Sequence, residues 1–229
     1  MKKTPIPVFA VTVLFGFSVV TDTSLSESQS NQPALSAEVE KIAVMPLLRG
    51  RCPGILKDTF NCEIPQLTFD PQNLAEGAET TVTRLVHEGL RKRHGERVIQ
   101  LAQVREAYNG FALEMSREKP RALAKMLGEK LGVKQIMLGT VWRFKERAGG
   151  GAGSIDPASV AFTLYIMDVP TAQTVWKGTF DETQRSLSED VLKAPTFFKR
   201  GAKWLSAGEM ARFGVEQLLK KSPLAAGGT

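Results

Sequence analysis

Hydrophobic and polar positions alternate with a period of two through three successive runs between residues 134 and 184. In the first, Ile136, Leu138, Thr140, Trp142 and Phe144 share one side, with Met137, Gly139, Val141 and Arg143 on the other. The second sets Val160, Phe162, Leu164 and Ile166 against Ser159, Ala161, Thr163 and Tyr165. The third puts Trp176 and Phe180 on one side. Alternation of β-branched and aromatic residues, bounded by Gly, Pro and Asp clusters, marks strands with two distinct faces. Three consecutive antiparallel strands are expected.

The rest of the chain alternates between strand and helix signals. Residues 41–48 (KIAVMPLL) are almost continuously apolar, the mark of a strand buried on both faces. Asp70-Pro71 reads as a helix start, and Leu74, Ala78, Val82, Leu85, Val86 and Leu90 recur at helical spacing until His94-Gly95. A short strand is expected over 97–101 and a short helix over 103–109. Pro120 opens a further helix with a Leu123, Leu127, Leu131 stripe and Gly132 as its stop. Residues 185–203 are irregular. Ser206 and Glu209 then form a capping box for a last helix carrying Met210, Phe213 and Leu218, which Pro223 ends. The order predicts an α/β (α+β) fold: one mixed sheet of about five strands, with a C-terminal antiparallel meander and helices packed mainly on one face.

The N-terminus adds an address. Lys2 and Lys3 precede an apolar run from Val8 to Val20, the form of a secretory signal peptide and short for a membrane span. Residues 1–23 are read as signal peptide or uncleaved N-terminal anchor, 24–40 as a flexible polar leader, 41–222 as a single domain and 223–229 as a tail. Either reading of the N-terminus exports the domain, with membrane association possible through that segment. In an oxidising compartment the only two cysteines, Cys52 and Cys62, are expected to form a disulfide closing a short loop, with free thiols the alternative. The net charge of +6 is modest, and acidic residues are scattered through the basic segments, so nucleic acid is not an expected partner.

Catalytic and metal signatures fail on spacing. His87-Glu88 begins like a zinc-protease helix, but Arg91 stands where the second imidazole belongs, and His94 lies two turns on. Gly149-Gly-Gly-Ala-Gly153 has no following Lys-Ser/Thr and leads into a strand, so it cannot cradle phosphate as a P-loop does. No nucleophile elbow is present. No enzymatic activity, metal or cofactor is therefore expected. Two contact surfaces are. An antiparallel meander gathers Glu146, Arg147 and Asp156 with Asp181, Glu182, Thr183 and Gln184 at one sheet end, either a polar binding site or a solvated, salt-bridged edge. Phe197, Phe198 and Trp204, interleaved with Lys199, Arg200 and Lys203, could meet a partner or membrane surface, or simply cap the sheet.

Between residues 41 and 221, KIAVMPL, LGVKQIMLGTV after a helix, a Gly-rich hairpin and VAFTLYIMDVPTAQTVWKGTFDET resemble the family of the curli-secretion lipoprotein CsgG. That broader group takes in the periplasmic activator of penicillin-binding proteins and the N-terminal domain of the Tol-system β-propeller protein. The turn carrying Asp168, Thr171 and Trp176 is part of the resemblance. It implies a non-enzymatic envelope module that works through protein–protein contacts. This chain departs from the family pattern at three points: it has no acylatable cysteine after the apolar run, Ala172 stands where the turn usually has Gly, and the 149–154 loop is too short to insert as a pore hairpin. The expected function is contact with an envelope protein in assembly or maintenance. The alternative is a periplasmic small-ligand or glycan binder using the polar sheet end.

Overall fold

The computed structural model describes residues 40–52, 62–112, 118–148, 156–184 and 205–224. The stretch read as signal peptide or anchor (1–23), the leader up to residue 39, the Gly-rich residues 149–153 and the aromatic stretch with Phe197, Phe198 and Trp204 lie outside the described residues. Within them run β1 (Ile42–Val44), β2 (Leu48–Arg49), α1 (Ala78–His94), α2 (Leu101–Ala112), α3 (Pro120–Leu131), β3 (Gln135–Lys145), β4 (Ser159–Asp168), β5 (Gln173–Thr183) and α4 (Ala207–Lys221).

The sheet is mixed, as expected. Its order is β1-β3-β4-β5, with β2 also on β3; β1 and β2 run parallel to β3, while β3, β4 and β5 form the antiparallel meander. The apolar run 41–48 is split into two strands at Pro46. There the Leu47 N–H leaves the sheet and donates to the Thr83 hydroxyl of α1 at 2.9 Å.

The helices divide two and two, which corrects the expected one-sided cover. On one face Val44, Met137, Val141, Phe162, Leu164 and Ile166 pack with Val82, Leu85 and Val86 of α1 and Met210, Val215 and Leu218 of α4. On the other, Ala43, Met45, Ile136, Leu138, Tyr165 and Met167 pack with Val104 and Ala107 of α2 and Leu123, Ala124 and Leu127 of α3. The physical reason is in β1 itself. Its three residues are all buried, so the strand demands apolar cover on both sides.

Two bulges modify the expected alternation. Register shifts between Val141 and Arg143, so Phe144 joins the face of Met137 and Val141 instead of that of Ile136 and Leu138. A second shift leaves Val175 as an extra residue in β5.

Two local readings are also corrected. Asp70 does not cap a helix. Its carboxylate accepts from the Gln72 N–H and the Asn73 amide in a tight turn. The chain is then stitched to β3, where the Phe144 N–H donates to Asn73 O and the Ala75 N–H donates to Phe144 O. α1 starts only after Gly77, whose φ of 70° admits the turn. The strand expected over 97–101 shrinks to a single bridge, Val98 to Ile42. Pro120, the Gly132 stop with φ 62° and the capping box of Ser206 and Glu209 stand as read.

The turn between β4 and β5 keeps left-handed backbone at Ala172, φ 54°, without glycine. Asp168 holds it, accepting from the Thr171 hydroxyl and the Thr171 N–H, and these bonds hold the carboxyl below its usual range. A non-glycine residue there bears a steric cost of about 1–2 kcal/mol. Ala172→Gly removes it but frees the unfolded chain, so a net gain of about 0.5–1 kcal/mol is expected, read as a raised Tm.

Cys52 and Cys62 are disulfide-bonded, with Cα atoms 6.1 Å apart. By loop entropy the bond contributes about 2–3 kcal/mol. Protein purified without reductant should show no titratable thiol until reduced, and its Tm should fall on reduction.

Candidate functional site

The sheet end is held together by its own charges. Arg143 of β3 reaches over Ala161 of β4 to pair with Asp181 of β5, the small central side chain leaving room for both. Lys145 donates to Asp156 at 3.2 Å, and the hydroxyls of Ser159 and Thr183 lie 2.6 Å apart. Arg143, not Arg147, is thus the partner of Asp181. The strands pair 143 with 161 and 161 with 181, so Arg147 falls beyond the last residue of β3. Glu182 lies across β4 from Val160 on the opposite face from Asp181.

Glu146 and Gln184 do structural work instead. Both carboxylate oxygens of Glu146 accept from the Ala207 N–H, at 3.0 and 3.1 Å, at the first turn of α4. A carboxylate there is favoured by the helix dipole and by otherwise unpaired amides. The buried Gln184 accepts from the Leu205 N–H at 2.8 Å, while its own N–H donates to Ala158 O. These two residues fix where the last helix enters. Of the seven sheet-end candidates, two anchor α4 and three are tied into the sheet's own polar contacts.

The surface that stands open lies elsewhere, between α1 and α4. A groove of about 430 Å³ is lined by Leu85, Glu88, Gly89, Lys92 and Arg93 of α1 and by Arg212, Val215, Glu216, Leu219 and Lys220 of α4. Each set follows the same i, i+3, i+4, i+7, i+8 spacing, so one stripe of each helix faces the other across the furrow. The helices approach closely because α1 has glycine at the crossing: a Cβ on Gly89 would lie 2.6 Å from Leu219 Cδ1. Leu85, Val215 and Leu219 form the buried floor. The rim carries four basic and two acidic side chains. Arg93 donates to the Leu219 carbonyl and so ties the helices at one end, while Arg212 and Glu88 stand 3.8 Å apart across the other. That second pair is exposed and contributes little to stability, so it can exchange for an outside partner without loss of the fold.

The two histidines of α1 are core groups. His87 is buried with Nε2 3.0 Å from Ile99 O, and both ring nitrogens of His94 are buried, with only a weak backbone contact at Leu224. Burial pushes both below the ordinary imidazole range; nearby Arg97 and Arg93 add to the shift at His94. A lowered folded value means the native state resists protonation. Stability should therefore be full above the ordinary imidazole value of about 6.5 and fall as pH drops below it, by at most about 1.4 kcal/mol per pH unit for each ring. His94→Leu should flatten the dependence of Tm on pH between about 7 and 5.

The groove was not visible in the sequence reading. Nothing local in the chain sets α4 beside α1, well over a hundred residues earlier.

No protein-family model matches the sequence, and no curated protein matches it at a significant level. Among solved structures the chain is similar to the PelC dodecamer from Paraburkholderia phytofirmans, at 12% identity over 79% of this chain and 84% of that one, TM-score 0.42. It is similar to the lipoprotein GNA1162 from Neisseria meningitidis, at 13% identity over 72% and 99%, TM-score 0.41. It is also similar to the LpoB C-terminal domain from Escherichia coli, at 13% identity over 64% and 84%, TM-score 0.36. These likenesses are too distant to carry a function to this chain.

Proposed function

We propose that the chain is an exported, non-enzymatic module of the cell envelope that binds a protein partner through the groove between α1 and α4. The observation that carries this reading is the groove itself: an open furrow with an apolar floor and a predominantly basic rim, formed by two helices whose inner faces are already used in the core. Such a surface suits an acidic or mixed-charge segment of another protein, with the rim supplying steering and register. The disulfide and the basic, then apolar, N-terminal segment support an oxidising destination outside the cytoplasm. Small-ligand or glycan binding at the sheet end is the weaker reading, because Glu146 and Gln184 there are engaged with the backbone leading into α4.

Lys92→Glu combined with Lys220→Glu should abolish partner capture by the purified full-length protein while leaving Tm within about 1 kcal/mol-equivalent of wild type, since both changes are on the surface. Capture that survives the double reversal in a folded variant would reject the groove.

A further inference from the structure

The 11-residue β5 ends the sheet, and among the described residues its outer edge pairs with no other strand. Open edges of this length are usually shortened, bulged or guarded by charge, because their N–H and C=O groups template another strand. β5 carries such a charge in Lys177, yet its sequence is complementary to itself. In antiparallel register about Thr179, Lys177 falls opposite the partner's Asp181, and Asp181 opposite the partner's Lys177. Thr179 meets the partner's Thr179 on the axis. Val175, one of three large apolar side chains well exposed among the described residues, is the bulge residue and lies beyond this regular ladder. Residues 177 to 181 therefore supply opposite-charge and Thr–Thr cross-strand pairs, each of a kind that stabilises a ladder.

Lys177 lies across from Tyr165 and Asp181 from Ala161, so both project from the same face of the sheet. The Lys177 ammonium stands 5.3 Å from the Tyr165 ring centroid on β4, and its flexible stem lets it swing from that ring to the open edge. Asp181 is half exposed, and its carboxylate has acceptor sites beyond those used by Arg143.

We infer that β5 is a self-association edge: two copies of this chain pair antiparallel about a two-fold axis through Thr179, joining their sheets. The contact is isologous, so it closes at two copies and each Lys177–Asp181 pair occurs twice. This surface is separate from the α1–α4 groove and does not depend on it.

Sedimentation of the full-length protein tests the inference. Wild type should show a concentration-dependent monomer–dimer equilibrium. Lys177→Asp sets like charges opposite each other twice and should weaken the dimer by about tenfold or more. Asp181→Lys should do the same, and an equimolar mixture of the two variants should restore a dimer, because each then presents the charge the other lacks. Should Asp181→Lys fail to fold beside Arg143, Thr179→Cys gives an independent readout. It should crosslink to its copy under mild oxidation, since the on-axis Cβ atoms lie about 5 Å apart, whereas Thr174→Cys should not. A wild type that is monomeric at all concentrations, a dimer indifferent to Lys177→Asp, or equal crosslinking at 174 and 179 would overturn the proposal.

Discussion

Phe162→Ala should destabilise the protein by about 3–5 kcal/mol, the largest loss expected from any single truncation described here. Phe162 sits in the middle of β4, which pairs along nearly its whole length with β3 on one side and β5 on the other. Its side chain is fully buried on the face covered by α1 and α4, 5.4 Å from the Phe180 ring and tilted 37° to it. Truncation loses the transfer energy of the ring, its contact with Phe180 and the contacts of the walls, which strand pairing prevents from collapsing. Urea denaturation should show a lower midpoint with an unchanged m-value. A loss below about 1 kcal/mol would mean that this face is not the principal core.

Gly139→Ala is expected to cost about 3 kcal/mol, at the upper end for overpacking. A Cβ at residue 139 would lie 2.4 Å from the Thr163 carbonyl oxygen, 3.1 Å from Leu164 Cδ2 and 3.2 Å from Leu47 Cγ. The leucine ends can rotate away. The carbonyl cannot, because it belongs to β4 and moves only with the β3–β4 ladder. The measurement is again the urea midpoint, and a near-neutral result would show that the ladder yields at this point. Gly89→Ala is the informative contrast, since its nearest neighbour is the flexible end of Leu219.

The meander was legible because each strand repeats its pattern over about ten residues and sits between Gly, Pro and Asp signals. What escaped was phase. The bulge at Trp142 moves Phe144 to the opposite face, and no residue near it announces the shift. Asp70-Pro71 carries a sound helix-start signal, but the Asp70 side chain served a turn and the following backbone was taken up by Phe144. Tertiary pairing overrode a local preference there. The same holds for the sheet end. Hairpin topology predicts 181–184 near 146 and 156, but register, set by distant pairing, gave Asp181 to Arg143 and turned Glu146 and Gln184 toward α4. The capping box of Ser206 and Glu209 was readable because it is complete within four residues. The groove was not, because it exists only once α4 has docked on α1.

The most direct measurement is site-specific photocrosslinking in the native cell. A photoreactive residue placed at Lys92 or Lys220, on the two rims of the groove, should each trap the same discrete protein adduct. One placed at Met126, exposed on α3 beneath the opposite sheet face, should trap none, and Arg212→Glu should abolish the groove adduct without lowering the amount of folded protein. Adducts that form equally at Met126, or that persist unchanged with Arg212→Glu, would contradict partner binding at this groove.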